Sequence, residues 1–147
     1  MPIISETTAT LRFFGDDLDP NEVTLRLGSV PTDAIRKGDA RTGKHKPDGS
    51  PLIARTGKWV RKVPAQKPGN LELQIDAILS GLTDDLAIWQ DLSSRYKGNI
   101  FVGFFMAEGN EGYDLSPKTL KLLTDRGLAL QLDIYDPPGA DEGMSGP

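Results

Sequence analysis

The sequence predicts an α+β fold, a single-domain sandwich of about five mostly antiparallel strands with helices on one face. Two segments, residues 8–14 and 128–135, alternate apolar and polar side chains as half-buried strands do. A third, Ile100 to Met106, is apolar on both faces, as a central strand covered by helices must be. Between them run segments with helical spacing and helix-start signals. The order strand, helix, hairpin, two helices, strand, helix, strand mixes local pairing with crossovers. The two closing strands flank one helix, so they suit a parallel pair joined by a right-handed crossover. The chain has 147 residues, 37% hydrophobic and 26% charged, enough for one core. One domain is expected over 1–136.

The first strand carries Ala9, Leu11 and Phe13 on one face and ends at Gly15-Asp16-Asp17. Asp19 is a good N-cap, Pro20 suits the first helical position, and Glu22 would complete a capping box. That helix stops at Gly28, with Pro31 beyond. Residues 36–51 are rich in Gly, Lys, Pro and Asp without periodicity and read as a loop. Leu52–Arg55 and Lys58–Val63 flank Thr56-Gly57, which predicts a β-hairpin. Asn70 caps a second helix with Leu71, Ile75, Ile78, Leu79 and Leu82 at helical spacing. Thr83-Asp84-Asp85 opens a third, with Leu86, Trp89, Leu92 and Tyr96 inward, ending at Gly98. Ser116-Pro117 opens a fourth, ended by Gly127. The last strand sets Leu128, Leu130, Leu132 and Ile134 against Ala129, Gln131, Asp133 and Tyr135. The predicted core is Leu11, Phe13, Ile75, Leu79, Trp89, Ile100, Val102, Phe104, Leu120, Leu123, Leu130 and Leu132. Residues 137–147 hold three Gly, three Pro and two acids, a composition that predicts disorder.

Composition also removes function classes. With no Cys there is no disulfide framework, thiolate nucleophile or Cys-based zinc site. With one His, a Ser-His-Asp triad would have to use His45, which lies in a polar loop, and a multi-His metal site is impossible. No cofactor and no metal are expected. The N-terminus lacks a basic, apolar leader, and no apolar run is long enough to span a bilayer, so no membrane partner and a cytoplasmic location are expected.

Charge is unevenly laid out. Residues 35–67 hold ten of the 17 Lys and Arg but two of the 21 acids, so this segment is +8 and the remainder −12. Such opposed regions suit an acidic protein surface, or the acidic face of a second copy in a homodimer. A pI near 5 opposes phosphate binding and makes nucleic acid an unlikely partner. The expected partner-binding residues are Arg36, Lys37, Arg41, Lys44, Arg55, Lys58, Trp59 and Arg61. Trp59 enters this set because an indole among cations on an edge strand has the composition of an interface anchor.

Three motifs stand out. Gly38 to His45 comes within one residue of a phosphate-binding loop, but His45 stands where the magnesium-holding Ser or Thr belongs, and no apolar strand precedes it. Asp16, Asp17, Asp19 and Glu22 cluster, yet helix capping explains two of them. Asp17-Leu18-Asp19-Pro20 is echoed by Asp114-Leu115-Ser116-Pro117, each after a strand with a Phe pair and each opening a helix that Gly ends.

Several of these stretches together resemble a bacterial family called domain of unknown function 4279. They are Gly15 to Pro20, Val23-Thr24, Leu27-Gly28, Pro31-Thr32, Arg36 to Asp39, Gly57-Lys58-Trp59, Leu115-Ser116-Pro117 and the Asp133–Tyr135 strand, spanning roughly residues 8–136. The resemblance implies a small cytoplasmic α+β domain and transfers no catalytic residue. Two function classes follow. One is a non-catalytic protein-interaction module, immunity-type or regulatory, without enzymatic activity. The other is a small carboxylate-dependent hydrolase or transferase with a cleft near Asp16 and Asp17. A concave pocket with convergent polar groups separates an enzyme from a flat or ridged binding face.

Overall fold

The structure, a computed structural model, describes residues 4–138. The elements are β1 (Glu6–Gly15), α1 (Pro20–Leu27), β2 (Asp33–Ile35), β3 (Ala40–His45), β4 (Pro51–Ile53), β5 (Gly57–Lys62), α2 (Leu71–Ser80), α3 (Leu86–Arg95), β6 (Lys97–Phe105), α4 (Pro117–Asp125) and β7 (Ala129–Tyr135). Five strands form one sheet in the order β2-β5-β1-β6-β7, and β3 and β4 form a separate two-stranded sheet. In the large sheet every pair is antiparallel except β6–β7, the parallel pair around α4. The fold is α+β, as the sequence predicts.

Alternation decides which face of the sheet is covered. Along β1, Thr7, Ala9, Leu11 and Phe13 are buried, while the residues between them are half-buried. The buried row meets Trp59 of β5 and Ile100, Val102 and Phe104 of β6, and the four helices pack on this side. Phe13 lies 6.5 Å from the Trp59 ring and 6.3 Å from Trp89, an aromatic centre under α1 and α3. Gly98, opposite Phe13, leaves room for it: a Cβ there would stand 2.7 Å from the ring.

The caps are where the sequence puts them. Asp19 accepts from the Asn21 amide at 2.9 Å, Asn70 from Leu73 at 3.1 Å, Asp85 from Ala87 at 3.0 Å and Ser116 from Thr119 at 3.2 Å. Gly28 and Gly127 take left-handed conformations, φ 87° and 68°, after α1 and α4. The two echoed segments therefore build the same cap-Pro-helix-Gly unit after two adjacent strands.

Four readings are corrected. Glu22 does not close a capping box; its carboxylate turns to Arg95, the last residue of α3, and to Tyr96 just beyond it. The segment expected as a loop contains β3, and the hairpin forms between β3 and β4 rather than between β4 and β5. The turn between them is Lys46-Pro47-Asp48-Gly49-Ser50, with Gly49 at φ 87° and Asp48 accepting from the Ser50 amide at 2.9 Å. β5 instead lies inside the large sheet, between β2 and β1. Leu120 and Leu132, predicted in the core, are each 45% exposed, because α4 leaves the outer rim of β7 uncovered. The expected tail disorder falls almost wholly outside the described residues. Among the described residues, no helix is long and apolar enough to cross a membrane.

Candidate functional site: a basic cleft on the open sheet face

The face away from the helices carries the other half of each strand. β1 contributes Thr8, Thr10, Arg12 and Phe14 to it. The register sets Lys58, Val60 and Lys62 of β5 and Asn99 and Phe101 of β6 beside them. Among the described residues, no helix covers this surface. The chain between β2 and β5 rises over one side of it as the β3–β4 hairpin. The hairpin is tied down at its base: the Ala54 amide donates to the Asp39 carbonyl and the Gly38 amide to the Ala54 carbonyl, both at 2.9 Å. Between sheet and hairpin lies a cleft of about 930 Å³.

Five cations line the cleft: Arg12, Lys58 and Lys62 from the sheet, and Arg41 and Arg55 from the hairpin and the strand linker. Among the described residues, no Asp or Glu lines it. Its floor is apolar, with Phe14, Val60 and Phe101 on the sheet and Ile35, Leu52 and Ile53 beside them. Three hydroxyls, from Thr8, Thr10 and Thr56, complete the wall.

Arg12 is the most constrained of the cations. Its guanidinium lies 4.2 Å from the Phe101 ring centroid and 5.1 Å from that of Phe14. It donates to Asn99 at 3.0 Å and Gln131 at 3.1 Å, both neutral amides. Burial pulls its pKa down, opposed by nearby Asp133; an arginine remains cationic even so. Lys58 bonds Asp33 at 3.0 Å, and that bond holds the Asp33 carboxyl below its ordinary range. Among the described residues, Arg12, Arg41, Arg55 and Lys62 form no ion pair. Four positive charges thus face one concave, largely apolar space without a direct ion pair, Asp133 and Asp33 acting on Arg12 and Arg41 only from a distance, an arrangement that raises the local concentration of anions and discriminates against cations.

The structure divides the eight residues expected from sequence. Arg41, Arg55 and Lys58 converge on the cleft. Lys44 is exposed on β3, away from its lining. Arg36 and Lys37 are paired at 2.7 and 3.2 Å with Asp19 and Asp16, anchoring the start of the hairpin segment to the start of α1. Arg61 points to the helix side and donates to Ser29 at 2.6 Å and to the Val30 carbonyl at 3.1 Å, strapping β5 to the end of α1. Trp59 is withdrawn as an interface anchor. It is fully buried against Phe13, and its indole N–H donates to the Thr24 hydroxyl at 3.0 Å. Strand alternation separates it from its cationic neighbour: Lys58 faces the cleft and Trp59 the core.

Sequence reasoning missed Arg12 and Lys62 as site residues. The signal for Arg12 was present: it falls between Leu11 and Phe13, so strand periodicity must put it opposite the core. Asp16 and Asp17 do not line the cleft. Asp16 is exposed, and its hydrogen bond from Lys37 lowers its pKa, the reverse of what a general acid needs. The Gly38–His45 segment runs through a turn into β3, not into a helix N-terminus, so its amides form no phosphate cradle.

The family model described as domain of unknown function (DUF4279) matches residues 5–137, nearly the whole chain. The chain belongs to this family. No curated protein and no solved structure matches it. For this DUF4279 member the matched span takes in both the sheet and the hairpin, so the cleft lies within the family domain.

Proposed function

We propose that the protein is a non-catalytic binding module that receives an acidic segment of a partner protein in the cleft between the open sheet face and the β3–β4 hairpin. The observation that carries this reading is the convergence of five cations on a cleft where, among the described residues, four form no ion pair and no carboxylate joins the lining. Unlike-charge steering would speed encounter, and the apolar floor would hold the side chains that follow. An immunity-type or regulatory role, bacterial origin and a cytoplasmic location belong to the same proposal; the resemblance motivates the last two. A carboxylate-dependent enzyme at Asp16 and Asp17 is not favoured, since neither lines the cleft.

The test uses a labelled peptide of alternating Glu and Leu, with a Lys and Leu peptide as control. The acidic peptide should bind and the basic one should not. Binding should weaken with added salt. Arg41→Glu with Arg55→Glu should reduce affinity at least tenfold. Equal affinity for wild type and the double variant, in protein of unchanged circular dichroism, would overturn the proposal.

A further inference from the structure

β7 ends the large sheet, and among the described residues no strand pairs with its outer edge. Its burial differs from that of every other long strand in the sheet. Leu132 is 45% exposed and Ile134 62%, on the side where α4 packs, and Leu120 of α4 is a third exposed aliphatic residue. A seven-residue edge with an apolar row and one charge, Asp133, is the kind of edge that natural proteins pair or blunt.

The backbone says which groups are free. The Met106 amide donates to the Tyr135 carbonyl, so Tyr135 turns its polar groups toward β6. In a parallel ladder the residues alternate, so Ala129, Gln131 and Asp133 face β6 as well. Leu130, Leu132 and Ile134 therefore present their N–H and C=O groups at the open edge.

We propose that this edge pairs antiparallel with β7 of a second copy, about a twofold axis through Leu132, giving one continuous sheet across a homodimer. Leu132 is the midpoint of Ala129–Tyr135, so this register pairs all of the strand. Leu132 meets Leu132, and Leu130 meets Ile134, each exchanging both backbone hydrogen bonds. The apolar row continues without a break. On the other face Gln131 meets Asp133 of the second copy, which avoids an Asp–Asp contact. Arg12, bonded to Gln131 at 3.1 Å, then lies beside the incoming carboxylate, an opposite charge in reach. A register centred one residue on, at Asp133, would oppose two like charges and cost stability. The surface shares only Arg12 with the basic cleft, and its dimer leaves Arg41 and Arg55 free.

Sedimentation velocity of the full chain should show a concentration-dependent dimer. Leu132→Lys places two ammonium groups together at the axis and should leave monomer only, with circular dichroism unchanged because the site is exposed. The chain has no cysteine, so single cysteines report the register. Directly opposed residues in a hydrogen-bonded pair stand about 5.5 Å apart, within disulfide range. Oxidised Leu132→Cys should therefore give covalent dimer. Ile134→Cys, offset from its own copy by about 13 Å along the strand, should not. Three results would overturn the proposal: a monomer up to millimolar concentration, equal cross-linking at the two positions, or a dimer that ignores Leu132→Lys and dissolves on Arg41→Glu with Arg55→Glu.

Discussion

The two faces of β1 are made by one run of ten residues and differ in almost everything else. On the helix side, Ala9, Leu11 and Phe13 are at most 1% exposed and join Trp59 and Trp89 in a closed aromatic centre. On the open side, Thr8, Thr10, Arg12 and Phe14 are half-buried and look into a space that no helix fills. The covered face satisfies itself: its indoles donate to Thr24 and to the Thr83 carbonyl, and Thr7 donates to Gln74 at 2.7 Å. The open face leaves four of its five cations without an ion pair among the described residues. A sheet half-covered by helices needs polar groups outward, but neutral or paired ones would serve solubility equally well. The proposed recognition role rests on that difference, with Arg12 held over the Phe14 and Phe101 rings and Arg41, Arg55 and Lys62 beside it.

The largest expected effect that sharpens this contrast is on the covered face. Phe13→Ala should cost about 3–5 kcal/mol by chemical denaturation, since it empties the centre of the core. An effect under about 1 kcal/mol would mean that the two faces do not differ as described. Arg12→Ala, its neighbour on the open side, should cost about 1–2 kcal/mol, from the lost stacking and hydrogen bonds.

The smallest effect concerns pH and the covered side's rim. Arg95 bonds Glu22 at 3.0 and 3.1 Å and Asp91 at 3.0 Å, and Arg26 also bonds Asp91. The Glu22 carboxyl is lowered chiefly by its bond from Arg95, and that of Asp91 chiefly by its bond from Arg26. Both pKa values are lower folded than unfolded, so the stabilisation is present above about pH 5 and is lost as pH falls through the folded values. Arg95→Ala should flatten the loss of stability between about pH 5 and 3 in urea titrations. A variant that keeps the wild-type slope would show the network to be idle.

Much of the covered face was legible in the sequence, because its signals are local. Asp19, Asn70, Asp85 and Ser116 each cap a helix by their own chemistry, and Leu11 and Phe13 carry a two-residue period that only a core explains. The open face was less legible. Its cleft joins Arg12, Arg41, Arg55, Lys58 and Phe101, and only the register of β1 with β5 and β6 makes them neighbours. Trp59 misled because composition was read across a strand whose neighbours alternate. The hairpin was misplaced because Thr56-Gly57 was read as its turn, although Pro47-Asp48-Gly49 is the stronger turn signal. Leu132 shows the remaining difficulty: its period was read correctly, but burial depends on whether a helix reaches the sheet edge, which no pattern within the strand encodes.

The central claim, that the open basic cleft is the binding surface, is tested most directly by mapping where an acidic probe lands. Backbone amide resonances of the labelled protein, followed by nuclear magnetic resonance during titration with the Glu and Leu peptide, should move at Thr10, Arg12, Arg41, Arg55, Lys58 and Phe101. Those of α1 and α3 on the covered side should stay fixed. Shifts confined to the helices, or the absence of any shift at low salt, would contradict the account.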